Sequence, residues 1–374
     1  PREPSLPVRA PAIEAQFIET FLLLTLNHQS LIATKTNRIV RAAAGRPVSE
    51  FGSRRAQGSS GAIDGARAAF IGGCKGTACT ISDQLYGVPA GGTMAHAWVQ
   101  TFDTQYDAFR AYCEIYPDNP VLLVDTYNTL KSGVPDAIRA FNDVLKPRGL
   151  TKCGIRLDSG DMAYLTRQAR QMLDAAGYPD CTVCASNSLD EYIVRDLILQ
   201  GARVDSFGIG ENMITAKSDP VFGGVYKLAA VKEDDGSYTP KMKLSESVEK
   251  MTIPCLKKVW RIYDEDGKAQ ADLITMADEV VDTKNGITLF DPIETWKECT
   301  YVNSTARCIS TPIYENGKRV YTSPNLADIR KFCKAQVGTL WDEVKRFENP
   351  HRYYVDLSKN LWDTRSELLK KLSK

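Results

Sequence analysis

The sequence predicts an α/β fold: a parallel sheet or barrel with right-handed crossovers, followed by a second, mostly β domain. Three observations lead there. Four apolar runs in the middle of the chain end on polar tips, VLLVD at Asp125, CGIRLDSGD at Asp161, TVCASNSLDE at Glu191 and VDSFGIGE at Glu211. Each leads into a helix-like stretch, at roughly the thirty-residue spacing of a βαβ unit. After about Gly223 the texture changes to short runs divided by polar turns, as in antiparallel strands. Parallel strands place their C-terminal ends on one side of a sheet, so the four tips converge on one site rich in carboxylates and glycine. Such a site suits a metal-bound, phosphorylated substrate.

The elements follow in order. Ala12 to about Ala44 reads as helix, with Ile13, Phe17, Phe21 and Leu24 on one face and Ile32, Ile39 and Val40 further along, until Pro47 breaks the pattern. Val48–Phe51 is a short strand, GSRRAQGSSG a polar loop, and Ile63–Ile71 a helix of small residues. Gly87–Thr93 is a turn entering an extended segment that ends before His96. Strands are expected at Val121–Asp125, Gly154–Leu157, Thr182–Ala185 and Val204–Phe207. Helices fall between them: Pro135–Leu145, stopped by Pro147 and Gly149; Met162–Ala176, ended by Gly177; and one opened by a Ser188/Glu191 capping box and stopped at Gly201. VYKLAAV, KMKLSES, KKVWRIYD and KAQADLITM read as later strands, with turns at Asp234–Gly236 and Glu265–Gly267. The tail from Ala327 reads as charged helix, divided at Pro350. The expected domains are 1–45, a remnant of an N-terminal domain with a connecting helix; 46–222, the catalytic α/β barrel; and 223–374, a β-rich segment with a helical tail.

Bulk properties narrow the function. A net charge of +1 over 374 residues gives no polyanion-binding surface, so no nucleic-acid partner is expected. The longest apolar stretch, Phe17–Leu26, is interrupted by Glu19 and is too short to span a bilayer, and no signal peptide is visible. The 10 cysteines are scattered; Cys181 and Cys184 form one C-x-x-C without a second pair at zinc spacing, which reads as free thiols in a reducing cytoplasm. The chain starts at Pro1, and PREPSLPVRAP reads as the approach to a strand, so a preceding segment is expected.

Few residues can carry chemistry. Of the three histidines, His28 sits in an apolar helix and suits a core or interface role, His351 lies in the polar tail, and His96 points toward the strand tips, where it suits a base, nucleophile or hydrogen-bond donor and equally a packing role. Asp125 closes an apolar strand, as at Mg²⁺-phosphate sites, although an ordinary strand-to-helix turn uses the same residue. In R-L-D-S-G-D, Arg156 and Asp158 share a strand face: a planar fork for carboxylate or phosphate beside an acceptor for ribose hydroxyls, or a simple surface pair. Gly208 and Gly210 lack the third glycine of a dinucleotide fingerprint but suit a phosphate cradle. No P-loop pattern is present.

Six motifs in one order resemble those of the nicotinate phosphoribosyltransferase family: F-G-S-R-R-A-Q-G at Phe51–Gly58, G-T-M-A-H at Gly92–His96, D-T-Y-N at Asp125–Asn128, R-L-D-S-G-D at Arg156–Asp161, A-S-N-S-L-D-E at Ala185–Glu191 and F-G-I-G-E at Phe207–Glu211. The resemblance runs through the C-terminal tail. It implies the irregular α/β barrel of type II phosphoribosyltransferases with a second, mostly β or α+β domain. It implies the reaction of nicotinate with 5-phosphoribosyl 1-diphosphate and ATP, with Mg²⁺, through a phosphohistidine at His96, in NAD salvage by a cytoplasmic homodimer. Phe51 is then expected to stack on the pyridine ring, and Arg54 and Arg156 to meet the nicotinate carboxylate and substrate phosphates. Asp125 and Asp158 are expected to serve ribose, diphosphate and metal, with Asp125 the Mg²⁺ ligand. Ser186, Asn187, Gly208 and Gly210 are expected to cradle the 5′-phosphate, and Thr77 to line the substrate pocket. Nicotinamide-using relatives carry an aspartate after K-G-T; here Lys75-Gly76-Thr77 is followed by Ala78, which favours the acid over the amide. Family members carry a front segment whose aromatic closes the pyridine pocket, usually of a neighbouring subunit, and the resemblance implies that such a segment is expected ahead of Pro1. The rival readings are a nicotinamide or quinolinate phosphoribosyltransferase, and a non-catalytic phosphoribosyl- or nucleotide-binding barrel.

Overall fold

The computed structural model describes residues 3–246 and 251–373. The chain divides into two compact units. One comprises Thr25–Gly223 and Asn325–Lys334; the other takes the described residues of Pro1–Leu24, Gly224–Pro324 and Ala335–Lys374.

The predicted first helix is two, α1 (Ala12–Phe17) and α2 (Glu19–Ala42), divided at Ile18. Ile32 and Ile39 are buried, whereas Ile13, Phe17, Phe21 and Leu24 are all exposed.

The first unit holds a six-stranded, all-parallel sheet: β1 (Val48–Glu50), β2 (Gly76–Thr77), β3 (Val121–Leu123), β4 (Gly154–Leu157), β5 (Thr182–Ser186) and β6 (Ser206–Ile209). The spatial order is β2-β1-β6-β5-β4-β3. Consecutive strands are neighbours from β3 to β6, and the first strand pairs with the last, which is barrel order. A single parallel bridge, Thr77 to Ala90, extends the β2 edge. Leu122, Ile155, Val183, Ala185 and Phe207 are fully or almost fully buried, as expected of parallel strands covered on both faces. The covering helices are α3 (Gly58–Gly72), α4 (Thr80–Tyr86), α5 (His96–Gln100), α6 (Gln105–Ile115), α7 (Val134–Ala140), α8 (Met162–Ala175), α9 (Glu191–Leu199) and α10 (Glu211–Ile214). Gly73, Gly87, Gly149, Gly177 and Gly201 follow helical segments at positive φ, the role glycine takes past a helix end.

Two expectations need correction. The last strand runs Ser206–Ile209 rather than Val204–Phe207, so Gly208 lies inside the ladder, opposite Ser49 and Ser186. The helix at Glu191 is capped by Asp190, whose side chain accepts from the Tyr192 and Ile193 amides. Ser188 stands at φ +44 and cannot serve as cap; Glu191 instead pairs with Lys35 (2.7 Å) and Arg38 (2.8 Å).

The second unit has β7 (Ala230–Lys232) and β8 (Tyr238–Pro240) as a hairpin, then β9 (Lys257–Tyr263), β10 (Ala269–Met276), β11 (Ile287–Phe290), β12 (Glu298–Tyr301), β13 (Thr305–Cys308), the small hairpin β14 (Tyr314–Glu315) and β15 (Lys318–Arg319), and β16 (Tyr354–Leu357). Its six-stranded sheet has the order β12-β11-β16-β10-β9-β13. β16 pairs parallel with β10, so the sheet is mixed rather than purely antiparallel. The described residues of KMKLSES carry no strand; the partner of β7 is Tyr238–Pro240. The tail is α11 (Leu326–Thr339), β16 and α12 (Lys359–Leu372), so a strand interrupts the expected helices. All ten cysteines are free.

Candidate active site

The C-terminal ends of β3, β4 and β5 are stitched together by side chains. Asp125, just past β3, accepts through Oδ2 from the Asp158 amide (2.9 Å) and the Ser159 hydroxyl (2.6 Å). Asp158, just past β4, accepts through Oδ1 from the Ser186 hydroxyl at the end of β5 (2.5 Å). One oxygen of each aspartate is left over. Asp125 Oδ1 is buried without a hydrogen-bond partner in the protein and lies 3.9 Å from His96 Nε2; Asp158 Oδ2 lies 3.8 Å from the same nitrogen. His96 opens α5 and is fixed from its other side, Nδ1 standing 3.0 Å from the Thr126 hydroxyl. A buried carboxylate oxygen with no partner is costly, so this arrangement is built for a ligand.

A second group forms at β1, β4 and β6. The Phe51 ring packs on Gly208, and the Phe51 amide donates to the Ile209 carbonyl (2.8 Å). Arg156 has its guanidinium carbon 5.9 Å from the centre of that ring and donates to the Thr93 hydroxyl (2.5 Å), while its Nε is buried and unpaired. A Cβ on Gly210 would lie 2.9 Å from the Phe51 carbonyl oxygen, so the ends of β1 and β6 meet backbone to backbone. Asn187 (φ +91) and Ser188 (φ +44) form an exposed left-handed turn beyond β5, tied down by Asn212, whose Nδ2 donates to the Ser188 carbonyl (2.8 Å).

Not every expected residue joins these groups. Arg54 is exposed in a 3₁₀ turn, Ser53–Arg55. Thr77 is 1% exposed, and its hydroxyl donates to Glu50 Oε2 (2.6 Å) and accepts from the Cys79 amide (2.9 Å). Glu50 itself went unnoticed in the sequence. It is fully buried, accepts from Thr77 and from the Gly52 amide, and holds the turn that carries Phe51. Burial pushes its carboxyl pKa up, against the opposing pull of those two hydrogen bonds. Val48 and Glu50 alternate on one strand face, and that period-two pattern was the available signal. Thr93 and Thr126, which meet Arg156 and His96, lie inside the G-T-M-A-H and D-T-Y-N motifs, but no role is assigned to them from the sequence.

Comparison with known proteins identifies the family. The family model Nicotinate phosphoribosyltransferase C-terminal domain matches residues 256–365. A nicotinate phosphoribosyltransferase of Bacillus subtilis (strain 168) is 42% identical over 98% of this chain and 74% of its own length. One from Dictyostelium discoideum is 32% identical over 97% and 70%. The chain belongs to the nicotinate phosphoribosyltransferase family. The crystal structure of human nicotinic acid phosphoribosyltransferase matches with a TM-score of 0.82 at 24% identity, over 96% of this chain and 78% of that one, which supports the barrel-bearing fold. In this phosphoribosyltransferase, the G-T-M-A-H, D-T-Y-N, R-L-D-S-G-D and A-S-N-S-L-D-E motifs supply the His96, Asp125, Asp158 and Ser186 cluster. F-G-S-R-R-A-Q-G and F-G-I-G-E meet at Phe51 and Gly208. Among the described residues no helix is long and apolar enough to cross a membrane.

Proposed function

We propose that this chain joins nicotinate to 5-phosphoribosyl 1-diphosphate, giving nicotinate mononucleotide and diphosphate, and couples this to ATP hydrolysis through a phosphohistidine. The observation that carries the reading is the placement of His96 Nε2 3.9 Å from the buried Oδ1 of Asp125, which has no hydrogen-bond partner, and 3.8 Å from Oδ2 of Asp158. In the transfer step the pyridine nitrogen bonds to C1 of the ribose as the bond from C1 to the diphosphate oxygen breaks, through an oxocarbenium-like state. Such a reaction mainly needs alignment of the nucleophile and neutralisation of the leaving group.

Phe51 offers a face for the pyridine, held by Gly208 and by the Glu50 turn. Arg156, with Arg54 from the exposed turn, meets the nicotinate carboxylate and substrate phosphates. Asp158 takes the ribose hydroxyls. Ser186, Asn187, Gly208 and Gly210 border the 5′-phosphate, and Thr77 acts through Glu50 on the shape of the pocket. In the coupling step Nε2 of His96 attacks the γ-phosphorus of ATP, ADP leaves, and water later releases phosphate from the ring. Thr126 holds the ring so that Nε2 faces the aspartates.

The donor set fits Mg²⁺. Asp125 Oδ1 is buried without a hydrogen-bond partner, and Oδ2 of Asp158 stands beside the same histidine nitrogen. That is the usual Mg²⁺ arrangement, one or two carboxylates completed by substrate phosphate. Asp125, with Asp158, would hold the ion, which would supply charge neutralisation for the leaving diphosphate. A homodimer is part of the proposal, and the exposed stripe Ile13, Phe17, Phe21 and Leu24 offers it an apolar face.

The test is mononucleotide formation from nicotinate, 5-phosphoribosyl 1-diphosphate, Mg²⁺ and ATP, beside His96→Ala and with nicotinamide in place of nicotinate. The wild type turns over with ATP stimulation, and His96→Ala loses the stimulation. Nicotinamide reacts poorly, because Ala78 at the end of β2 offers no side-chain acceptor to an amide. An equally stimulated mutant removes the phosphohistidine.

A further inference from the structure

We propose that a cavity at the N-terminal ends of β1 and β2 binds a small anion of the phosphate class. It lies at the opposite end of these strands from Phe51 and Thr77, has a volume of about 330 Å³, and is lined by Arg46, Lys75 and Arg330 with Gly45, Val48 and Gly73 among the other walls. No acidic side chain lines it. Three cationic side chains around one concavity are notable in a chain whose net charge is only +1.

The two arginines are oriented before any ligand arrives. Arg46 donates through Nε to the Val204 carbonyl (2.8 Å) and Arg330 donates to the Gly73 (2.9 Å) and Cys74 carbonyls. Arg330 also lies over the Phe70 ring, 4.4 Å from its centre. Carbonyl bonds of this kind fix a guanidinium without neutralising it. The Lys75 side chain is exposed and has neither an ion pair nor a hydrogen-bond partner among the described residues. Fixed forks plus a mobile ammonium, with no carboxylate in the wall, suit a compact oxyanion. The size suits inorganic phosphate or the phosphate end of a nucleotide.

The test is a calorimetric titration with inorganic phosphate of the wild type, Lys75→Ala and Lys75→Glu. Phosphate taken up at the catalytic face is common to all three, so it cancels in the comparison, and the outcome does not depend on the catalytic proposal. The expected result is a phosphate equilibrium that Lys75→Ala weakens and Lys75→Glu weakens by about tenfold or more, the scale of one charge-assisted contact. A second titration with adenosine monophosphate separates the two sources: displacement of phosphate from the Lys75-dependent site assigns it to nucleotides, and failure to displace assigns it to free phosphate. Identical phosphate isotherms for all three proteins overturn the proposal. So does a tungstate-soaked crystal with no anion between Lys75, Arg46 and Arg330.

Discussion

The ring of Phe51 occupies the space that a side chain on Gly208 would fill. A Cβ there would overlap Cε2 of the ring and lie 2.5 Å from Cδ2. Glycine at this position is therefore required by an aromatic ring on the neighbouring strand, since its φ is ordinary and the position pairs regularly in the ladder. Gly208→Ala must push the ring aside. We expect KM for nicotinate to rise about tenfold with a smaller change in KM for the phosphoribosyl donor, and a loss of stability of about 1–3 kcal/mol. Steady-state kinetics and thermal unfolding measure both.

Asp125→Asn separates architecture from charge. The asparagine oxygen can still accept from the Asp158 amide and Ser159, so the stitch between β3 and β4 survives. The buried negative charge beside His96 does not. We expect kcat to fall by about two orders of magnitude, the usual scale for one electrostatic group at a reacting centre, with melting temperature nearly unchanged. A mutant that keeps full turnover removes Asp125 from the proposed metal and phosphate chemistry.

Asp356 of β16 makes the second unit sensitive to pH. Burial, with Asp291 adding to it, raises its pKa from 3.8 to about 6, and one of its oxygens has no partner. The folded state therefore holds a proton that the unfolded chain releases. Stability from this group is fully present below pH 3.8 and is lost as pH rises through about 6. Asp356→Asn should flatten that slope and raise stability near pH 7 by about 1–3 kcal/mol. Denaturant titrations at pH 5 and pH 7 read the difference.

Arg261 and Asp272 form a two-pronged pair in the same sheet, with both bonds at 2.8 Å, and the Tyr353 hydroxyl adds a third bond to Asp272 (3.0 Å). Asp272 is completely buried. Removing it takes away the paired carboxylate of Arg261 and leaves Glu3 as its acidic neighbour, so Asp272→Ala should cost about 3 kcal/mol, the lower end for a broken buried pair. Asp272→Asn, which still accepts a hydrogen bond, should cost less. Equal unfolding free energies for the two variants contradict this.

The sequence showed most where burial is symmetrical. β3, β4 and β5 are short apolar runs enclosed on both faces, each ending on a polar residue, and their tips were placed to within two residues. β6 slipped because Gly208 and Ile209 resemble loop; only the Phe51 ring, over 150 positions away, makes glycine suitable inside that strand. Ser188 and Glu191 fitted a capping box by spacing, but spacing does not report φ, and the left-handed turn at Asn187–Ser188 hands the cap to Asp190. Glu50 is hidden for a related reason: the period-two pattern of β1 marks its face, but its Thr77 partner, 27 residues on, is supplied by the pairing of β1 with β2. In the tail, Tyr354–Leu357 was lost between two helical segments because its neighbours in the sheet come from more than sixty residues earlier.

That late strand has a consequence for biogenesis. β16 sits between β11 and β10, so until Tyr354–Leu357 have left the ribosome the second sheet exists as two separate pieces. Each piece then carries an open edge, on β10 and on β11, that is covered in the finished molecule. Synthesis stalled before residue 354 would leave those edges available to pair with other nascent chains. Yield in the cell should thus depend on how quickly the segment that carries β16 is translated, while the parallel sheet, whose strands are complete by Ile209, is free to form much earlier.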